Sequence, residues 1–400
     1  MSFNKPEPEF DTVVIRFAGE IGIKAAWTRK LYERRLVINI KAVLKHYEIP
    51  YEALNRMFGR LYLKTPESQC ASQKLAKVFG ISSISSALET SSKLDDIIDT
   101  SVRIAGSRLK DGRSFAVRCR RIGKHSYSSQ EVCRQVGRQI LDANSRLGLW
   151  VDLKHPDVTL GIEIRDNRAF IFADAVKGAG GLPLGTQPRL VCLLTDDVNS
   201  TVACWLTMKR GCPPVLVHFD NSPFIKRSHL DLVSGRAQVS SEWGIGFPVK
   251  LRVVSNGQNL AEIIEKCPKE LTNLLCKRLI FRIAARIAES EKAEGIVTGE
   301  VFGDKSGLTP HEFRIADEAV KNYPVYRPLQ GLGNSEFTQL ARKLGIRELS
   351  IPKISKQRVV SNRRSHVAPA KLEDVKNLEE KLLKVNEMVE ASLKSLKTFS

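Results

Sequence analysis

Residues 195–200, with the sequence TDDVNS, have the position of a phosphate-binding loop without its usual chemistry. They follow the apolar run LVCLL and precede a helical pattern, VACWLTMKRG. Such loops use glycines, because the phosphates must come close to backbone N–H groups at the helix start. Here Asp196 and Asp197 stand where a polyanion would lie, and like charges ~4 Å apart repel by roughly 4 kcal/mol at an effective dielectric near 20.

Two interpretations of these acidic residues follow from the sequence. A magnesium ion could bridge Asp196, Asp197 and a nucleotide, since Mg²⁺ binds carboxylate and phosphate oxygens. Alternatively, the two acids cap the following helix together with Asn199 and Ser200, because all four residue types are favoured there. Thr195 is the first residue of this loop under either interpretation.

A second chemistry-bearing region is strongly basic. Residues 101–150 hold eleven Lys and Arg residues against three Asp and Glu residues, a local charge of +8. Ser128, Ser129 and Glu131 in this region have the types that begin a helix. Backbone donors at a helix start beside cations suit a phosphate, whereas the alternative is a solvated charged surface. The candidate phosphate contacts are Arg118, Arg120, Arg121, Lys124 and Arg134.

The composition supports an anionic partner. The chain has 400 residues, with 63 Lys and Arg against 44 Asp and Glu, which gives a net charge of +19 and favours nucleic acid as the partner. No apolar run reaches the ~18–20 residues of a membrane span, and the N-terminus has no secretory signal pattern. The eight cysteines are dispersed and form no zinc-type cluster, so we expect a cytoplasmic protein and no bound metal.

The periodicity predicts three structural regions. A helix between strands over about residues 10–75, and more such segments up to residue 177, indicate small α+β units. The Gly/Pro segment KGAGGLPLGTQP marks a boundary. Beyond it, short apolar strands alternate with helices, which favours a doubly wound parallel sheet, an α/β domain. After Ile351 a basic segment with six cations precedes a helical C-terminus, and it is either a nucleic-acid contact or a linker.

Several long motifs in one order resemble the tRNA 4-thiouridine synthetases, the ThiI family. They include RFAGEIGIKAAWTRKLYERRLVINI, FAVRCRRIGKHSYSSQEVCRQVGRQI and TVACWLTMKRGCPPVLVHFDNSPF, and the resemblance covers roughly residues 10–352. It implies a multidomain fold whose segments are a ferredoxin-like domain (1–75), a THUMP domain (76–177), a linker (178–188), a PP-loop domain (189–352) and a basic segment with a C-terminal helix (353–400).

The resemblance also implies an activity. Family members activate a tRNA uridine, at position 8, by adenylating its carbonyl oxygen, and then exchange that oxygen for sulfur. It therefore implies tRNA as the partner, docked on the THUMP face, and ATP with Mg²⁺ as possible ligands. The nucleotide positions that match the family are Leu193, Leu194, Ser200, His218, Phe219, Lys277 and Gly299.

The chain departs from the family pattern at two requirements of this reaction. The family's PP-loop reads Ser-Gly-Gly-X-Asp-Ser, of which only Ser200 remains, because Asp196 and Asp197 replace the glycines and Asn199 the aspartate. Archaeal-type members carry Cys-X-X-Cys, where this chain has Asn273 and Cys276, and no cysteine follows Cys276. The two departures together predict that adenylation and sulfur transfer have been lost.

Three functions remain in competition. The first is a tRNA-binding ThiI-like protein without its own chemistry, serving as a tRNA scaffold or as a subunit that holds tRNA for a modifying enzyme. The second is an active ATP-dependent tRNA sulfurtransferase that makes 4-thiouridine. The third is a general RNA-binding or ribosome-associated protein. A homodimer is common in the resembled family, and nothing in this sequence decides for or against it.

Overall fold

The fold was analysed in a computed structural model. It describes residues 9–57, 59–225, 228–301, 308–346 and 370–399. The predicted basic segment after Ile351 lies outside these residues up to position 369. The chain forms two compact units, Met1–Pro183 and Leu184–Ser400, called the N-terminal unit and the C-terminal unit below. Within the described ranges, no helix combines the length and apolar character that a membrane span requires.

The N-terminal unit alternates strands and helices along the chain. Its strands are β1 (Thr12–Phe17), β2 (Ala53–Met57), β3 (Arg60–Lys64), β4 (Ile81–Ser91), β5 (Ser114–Ile122), β6 (Trp150–Val151), β7 (Val158–Arg165), β8 (Arg168–Phe172) and β9 (Val176–Lys177). Its helices are α1 (Gly19–Gly22), α2 (Ala26–His46), α3 (Ser68–Leu75), α4 (Leu94–Arg108) and α5 (Ser129–Ala143), with a 3₁₀ turn at Ser145–Leu147.

All nine strands of this unit belong to one sheet. Their order is β2-β3-β1-β4-β8-β7-β5-β6, and β9 pairs with β4. The strand β4 is shared, because it pairs antiparallel with β1 along one edge and with β8 along the other. The ferredoxin-like and THUMP segments predicted from the sequence are thus joined by continuous backbone hydrogen bonding.

The two faces of this sheet differ in what covers them. On the first face, Ile162, Ile164 and Ile171 pack in one apolar cluster with residues of α4 and α5, such as Ile104 and Val136. The second face presents the alternate residues of the strands, because successive side chains of a strand point to opposite sides. Its small apolar cluster contains only strand residues: Val14, Tyr62, Ala87 and Phe170, with Met57 and Phe172 beside them.

The C-terminal unit is an α/β domain. Its strands are β10 (Arg189–Leu193), β11 (Pro214–Asp220), β12 (Leu251–Ser255), β13 (Ala293–Val297), β14 (Val325–Tyr326) and β15 (Lys397–Phe399). Its helices are α6 (Val198–Lys209), α7 (Ser228–Trp243), α8 (Gly257–Lys266), α9 (Thr272–Glu291), α10 (Pro310–Glu318), α11 (Asn334–Lys343), α12 (Leu372–Lys381) and α13 (Val385–Lys394).

The sheet order of the C-terminal unit confirms the predicted doubly wound arrangement. The order is β14-β13-β10-β11-β12-β15, parallel throughout except for the antiparallel edge strand β15. The chain proceeds from β10 to β11 and β12 on one side and then returns to place β13 on the other side of β10. Ligands bind in such sheets beyond the carboxyl ends of the strands at this reversal, between β10 and β13.

The central helix α9 anchors the C-terminal segment of the unit. Its apolar residues, among them Leu275 and Ile283, pack in the main core with Val375 and Val389 of α12 and α13. Arg278 of α9 is fully buried. Its guanidinium donates to Glu379 of α12 at 2.8 and 2.9 Å and to Glu318 of α10 at 3.1 Å, so a buried charge is compensated on two sides.

Candidate nucleotide site and basic surface

Three backbone donors of the loop after β10 are satisfied by side chains of the loop itself. The N–H of Thr195 donates to Ser200 Oγ at 3.0 Å, and the N–H of Asp197 donates to Thr195 Oγ1 at 3.3 Å. Asp197 is the N-cap of α6, since its carboxylate accepts from the N–H of Asn199 at 3.2 Å. Backbone N–H groups at a helix start are the donors that a phosphate uses, so these three are already engaged.

The two adjacent acids of the loop have different partners. Asp197 caps the helix as the second interpretation of the sequence predicts, whereas Asp196 accepts from His229 Nδ1 of α7 at 2.9 Å. Arg236 lies two helical turns further along α7, and the charges of Asp196 and Asp197 act on it. Burial nevertheless lowers the pKa of Arg236. The carboxylates of the loop therefore face His229 and Arg236 of this chain.

His218 lies at the carboxyl end of β11 and is buried. Its Nδ1 is 2.9 Å from the carbonyl oxygen of Leu194 and must donate to it, because a carbonyl oxygen only accepts. Burial lowers the pKa of His218, which favours the neutral ring. Its Nε2 is then an acceptor, and this buried atom has no hydrogen-bond partner among the described residues.

Gly299 allows β13 and α6 to come together at the reversal of the sheet. A Cβ atom at this position would lie 2.6 Å from the backbone nitrogen of Ser200 and 2.7 Å from the carbonyl carbon of Asn199. Both neighbours are backbone atoms that cannot rotate away. The close approach therefore excludes any larger residue at position 299.

Lys277 does not stand free at the site. Its ammonium pairs with Glu300 at 2.8 Å, and Arg327 donates to the same carboxylate at 3.0 Å. Burial acts to raise the pKa of Glu300, but the charges of Lys277 and Arg327 outweigh it and hold the pKa below its usual range. Arg327 also pairs with Asp317 at 2.7 Å. The charges of this group compensate one another.

The surroundings of Cys276 favour the protonated form of its thiol. Cys276 is partly buried on α9, and burial raises its pKa above the ordinary value for a thiol. Asn256 Nδ2 approaches its sulfur at 3.9 Å. The nucleophilic form of cysteine is the thiolate, so this environment disfavours reactivity. Across the described ranges, no group of three or more His, Cys, Asp or Glu side chains is arranged to hold a metal ion.

The structure divides the five predicted phosphate contacts between surfaces. Arg118 and Arg120 are exposed on the second face of the N-terminal sheet, whereas Arg121 points to the opposite face and approaches His125 Nδ1 at 3.3 Å. Lys124 is exposed in the loop before α5, and Arg134 is exposed on α5 itself. The predicted helix start is confirmed, because Ser128 Oγ accepts from the N–H of Glu131 at 3.1 Å.

Sequence reasoning missed the groups that surround the loop. His229 and Arg236 are seven residues apart on α7, a spacing that puts both on one helix face, and this signal was present in the sequence. Glu300 follows Gly299 directly, but its ion-pair partners Lys277 and Arg327 are distant from it in the chain. No sequence pattern connects such partners.

A PP-loop-like α/β unit beside a THUMP-containing unit defines a class of RNA-modification proteins, and the matching sequence families agree with it. The ThiI ferredoxin-like domain matches residues 12–85, the THUMP domain matches residues 91–174, and the family described as thiamine biosynthesis protein (ThiI) matches residues 185–384.

Similar proteins cover nearly the whole chain. A probable tRNA sulfurtransferase of Methanosarcina mazei is 34% identical over 398 residues, which is 98% of this chain and 96% of that protein. A probable tRNA sulfurtransferase of Caldanaerobacter subterraneus is 33% identical over 374 residues, covering 93% of this chain and 95% of that protein. The chain belongs to the ThiI family of tRNA sulfurtransferases.

Two solved structures have the same overall fold. A 4-thiouridine synthetase in complex with RNA and with bound ATP matches with a TM-score of 0.86 at 27% identity, covering 98% of this chain and 99% of that one. PH1313 from Pyrococcus horikoshii matches with a TM-score of 0.67 at 28% identity, covering 84% of this chain and 99% of that one. These matches confirm the predicted fold class and the family resemblance.

Proposed function

We propose that this protein binds tRNA within the tRNA thiolation pathway and does not itself adenylate or thiolate it. It would hold tRNA as a scaffold or as a subunit that presents tRNA to a modifying enzyme. The observation that carries this proposal is the loop after β10, in which three backbone donors are satisfied internally and two carboxylates occupy the place of the family's glycines.

The tRNA part of the proposal is supported by both the family and the charge. The structurally similar 4-thiouridine synthetase was solved with RNA, and this chain contains a THUMP domain. Arg120, Lys124 and Arg134 are exposed and form no ion pair with a carboxylate among the described residues. Uncompensated cations on one domain are the usual electrostatic footprint of nucleic-acid binding.

ATP and Mg²⁺ do not fit the phosphate side of the site. A triphosphate at the start of α6 would meet Asp196 and Asp197, and the N–H groups of Thr195, Asp197 and Asn199 already donate to side chains of the loop. Asp196 is engaged with His229, so it is not free to share a metal with Asp197.

The cysteine positions that carry sulfur in the family independently support the loss of catalysis. The protonated state favoured for Cys276, and Asn273 in place of its family partner, leave no cysteine pair for sulfur carriage in the family's manner. A change at one of these positions could be a variant of the same chemistry. Here the phosphate-binding loop and the sulfur-carrying cysteines, which one reaction requires together, both differ from the family pattern. The two departures favour a binding role over catalysis.

A second candidate is an active ATP-dependent tRNA sulfurtransferase. The curated relatives carry that name, and the similar 4-thiouridine synthetase holds ATP. The specific observation in its favour is His218, whose buried Nε2 acceptor would be satisfied by an N–H or O–H donor of a ligand. A nucleoside recess could therefore persist beside a rewired loop.

The deciding experiment measures pyrophosphate release from ATP with Mg²⁺ and bulk tRNA, together with tRNA binding in the same preparation. We expect tRNA binding without release. Restoring the family's loop, with T195S, D196G, D197G and N199D combined, is expected to create ATP binding that the natural chain lacks. Release by the natural chain that depends on tRNA would overturn the proposal.

The second candidate makes its own prediction at Asp196. If a metal bridged by the two acids replaces the glycines, Asp196→Ala abolishes Mg²⁺-dependent ATP binding, and unchanged binding in that variant excludes this mechanism. The matched control is Asp231→Ala, which removes the same charge from α7 about 200° around the helix from His229. A similar affinity for tRNA and for unrelated structured RNAs would instead favour a general RNA-binding protein.

A further inference from the structure

Three arginines converge on one carboxylate on the second face of the N-terminal sheet. Arg16 of β1 reaches Glu163 of β7 at 2.9 Å, Arg165 reaches it at 2.7 Å, and the Nε of Arg60 on β3 lies 3.6 Å away. We call Arg16, Arg60, Arg165 and Glu163 the arginine cluster. The strand register explains the convergence, because Arg16 lies opposite Arg60, and Glu163 is two residues before Arg165 on the same face.

The arginine cluster carries more positive charge than its one carboxylate, Glu163, can compensate. Three guanidiniums share one carboxylate, which leaves an excess of two positive charges in the cluster. Glu163 is buried, and its side chain is only 3% exposed. Among the described residues, no carboxylate other than Glu163 forms an ion pair with any of the three arginines. Buried or partly buried excess charge is costly unless a ligand compensates it.

The hydrogen-bond donors of the cluster are also incompletely used. Arg16 donates to Glu163 and to Ser85 Oγ at 3.0 Å, and one terminal nitrogen of Arg165 donates to the carbonyl oxygens of Ile164 and Arg120. The Nε atoms of Arg60 and Arg165 are buried and have no hydrogen-bond partner in the part of the chain that the structure describes. Arg165 as a whole is only 4% exposed.

The order of exposure indicates how an anion would be held. Arg165 is buried, Arg16 is 13% exposed and Arg60 is 21% exposed, so Arg60 is the most accessible of the three. Arg120 of β5 is exposed and lies beside Glu163 in the strand register, on the same face. Glu163 thus orients the two inner arginines, while Arg60 and Arg120 stand at the solvent side.

We propose that the arginine cluster binds a phosphate group, with Arg60 as the principal contact, and that in the cell this phosphate belongs to the RNA backbone. Guanidinium donors match phosphate oxygens in geometry, and the excess charge supplies the attraction. This site is separate from the basic loop around Lys124, because its residues lie on three strands of the sheet, β1, β3 and β7. The assignment to RNA rests on the proposed tRNA-binding function.

The test compares Arg60→Gln with a matched control, Arg56→Gln. Arg56 is an arginine of the neighbouring strand β2, but it pairs with Glu33 at 2.5 Å, a carboxylate that Arg29 also compensates. Binding of full-length tRNA is measured against salt. Loss of one phosphate contact reduces the slope of log affinity against log salt by about 0.9, which at 0.1 M salt corresponds to about eightfold weaker binding.

We expect this loss for Arg60→Gln, a slope close to the natural one for Arg60→Lys, and no change for Arg56→Gln. Circular dichroism of each variant checks that the sheet is intact. Natural affinity and slope in a folded Arg60→Gln protein would overturn the assignment to RNA. Failure of the natural protein to bind tRNA at all would instead overturn the proposed function.

A second arm separates RNA phosphate from free phosphate. Thermal unfolding of the natural protein and of Arg60→Gln is followed as inorganic phosphate is added at constant ionic strength. One outcome is that RNA binding is the same in both proteins while phosphate raises the unfolding temperature of the natural protein but not that of Arg60→Gln. In that case the site is an anion site for a small phosphate ligand. If neither measurement depends on Arg60, the cluster is structural and the proposal fails.

Discussion

The arginine cluster of the N-terminal unit and the Glu300 group of the C-terminal unit differ in net charge. The Glu300 group consists of Glu300, Asp317, Lys277 and Arg327. In the cluster, three arginines share one carboxylate. Around Glu300, two cations meet Glu300 and Asp317, so positive and negative charges are equal in number. In the Glu300 group the carboxylates of the chain neutralise the cations, whereas the excess charge of the arginine cluster is the basis of the anion site that we propose.

The largest effect on stability is expected at the buried Arg278. Glu379→Ala removes the carboxylate that accepts two of its hydrogen bonds and leaves Glu318 and the carbonyl oxygen of Ile315 as its partners. We expect the C-terminal unit to lose about 3 kcal/mol of stability, because breaking a buried pair leaves an uncompensated charge. Urea unfolding measures the loss.

The control for that variant is Glu390→Ala. Glu390 pairs with Arg286 at 2.7 Å, but both side chains are about half exposed. An exposed pair contributes less than about 1 kcal/mol. Equal losses in the two variants would show that burial does not distinguish these pairs.

A smaller effect is expected at Glu318 and depends on pH. Burial acts to raise its pKa, but hydrogen bonds from Lys376, Lys321 and Arg278 lower the pKa to about 2. The carboxylate therefore stabilises the fold above its unfolded pKa of 4.5, and this contribution is lost as the pH falls toward 2. The contribution at neutral pH is on the order of 2 kcal/mol after allowance for screening by solvent.

The measurement compares the natural chain with Glu318→Gln in urea at pH 7 and at pH 3. The difference between the two proteins should shrink at the lower pH. Glu387→Gln is the control, since its exposed pair with Lys384 predicts no difference at either pH. A difference that stays constant with pH would contradict the role given to the charge of Glu318.

The smallest effect on stability is expected where the cations are uncompensated. Replacing Arg120, Lys124 and Arg134 together by glutamine should change stability by less than about 0.5 kcal/mol each, because these exposed residues have no carboxylate partner among the described residues. The salt slope of tRNA binding, which about five contacts would put near −4, should become less steep by about 2.7.

Three paired cations of the C-terminal unit provide the comparison for this triple variant. Lys266, Arg286 and Lys384 each pair with a glutamate on the surface. Their combined replacement by glutamine should leave the slope unchanged. If both triple variants reduce the slope equally, tRNA responds to total charge and not to the basic surface of the N-terminal unit.

The sequence predicted the apolar run of β10, the helix α6 after it and the start of α5, because strand and helix periods and helix caps are local properties. The capping role of Asp197 was one of two open interpretations, and the structure assigns it. The alternation along β5, which separates Arg118 and Arg120 from Arg121, was also predictable from the strand period.

Other features could not be predicted from local patterns. Arg16, Arg60 and Arg165 are far apart in the chain, and only the strand order brings them to one carboxylate. The pairing of Lys277 with Glu300 depends in the same way on how α9 and β13 pack. Long-range electrostatic partners are set by tertiary packing, which a single sequence does not display.

The shared strand β4 limits how this protein could be divided. The part of β4 from Ile81 to Ala87 pairs with β1 and the part from Leu88 to Ser91 pairs with β8, so a cut between the two N-terminal domains leaves an unpaired strand edge on either fragment. A THUMP fragment transplanted without β4 would lack the neighbour of β8, and a ferredoxin-like fragment that kept β4 would leave its last four residues without the β8 partner. The domain boundary assigned from the sequence therefore falls next to a strand that both domains need to complete their sheets.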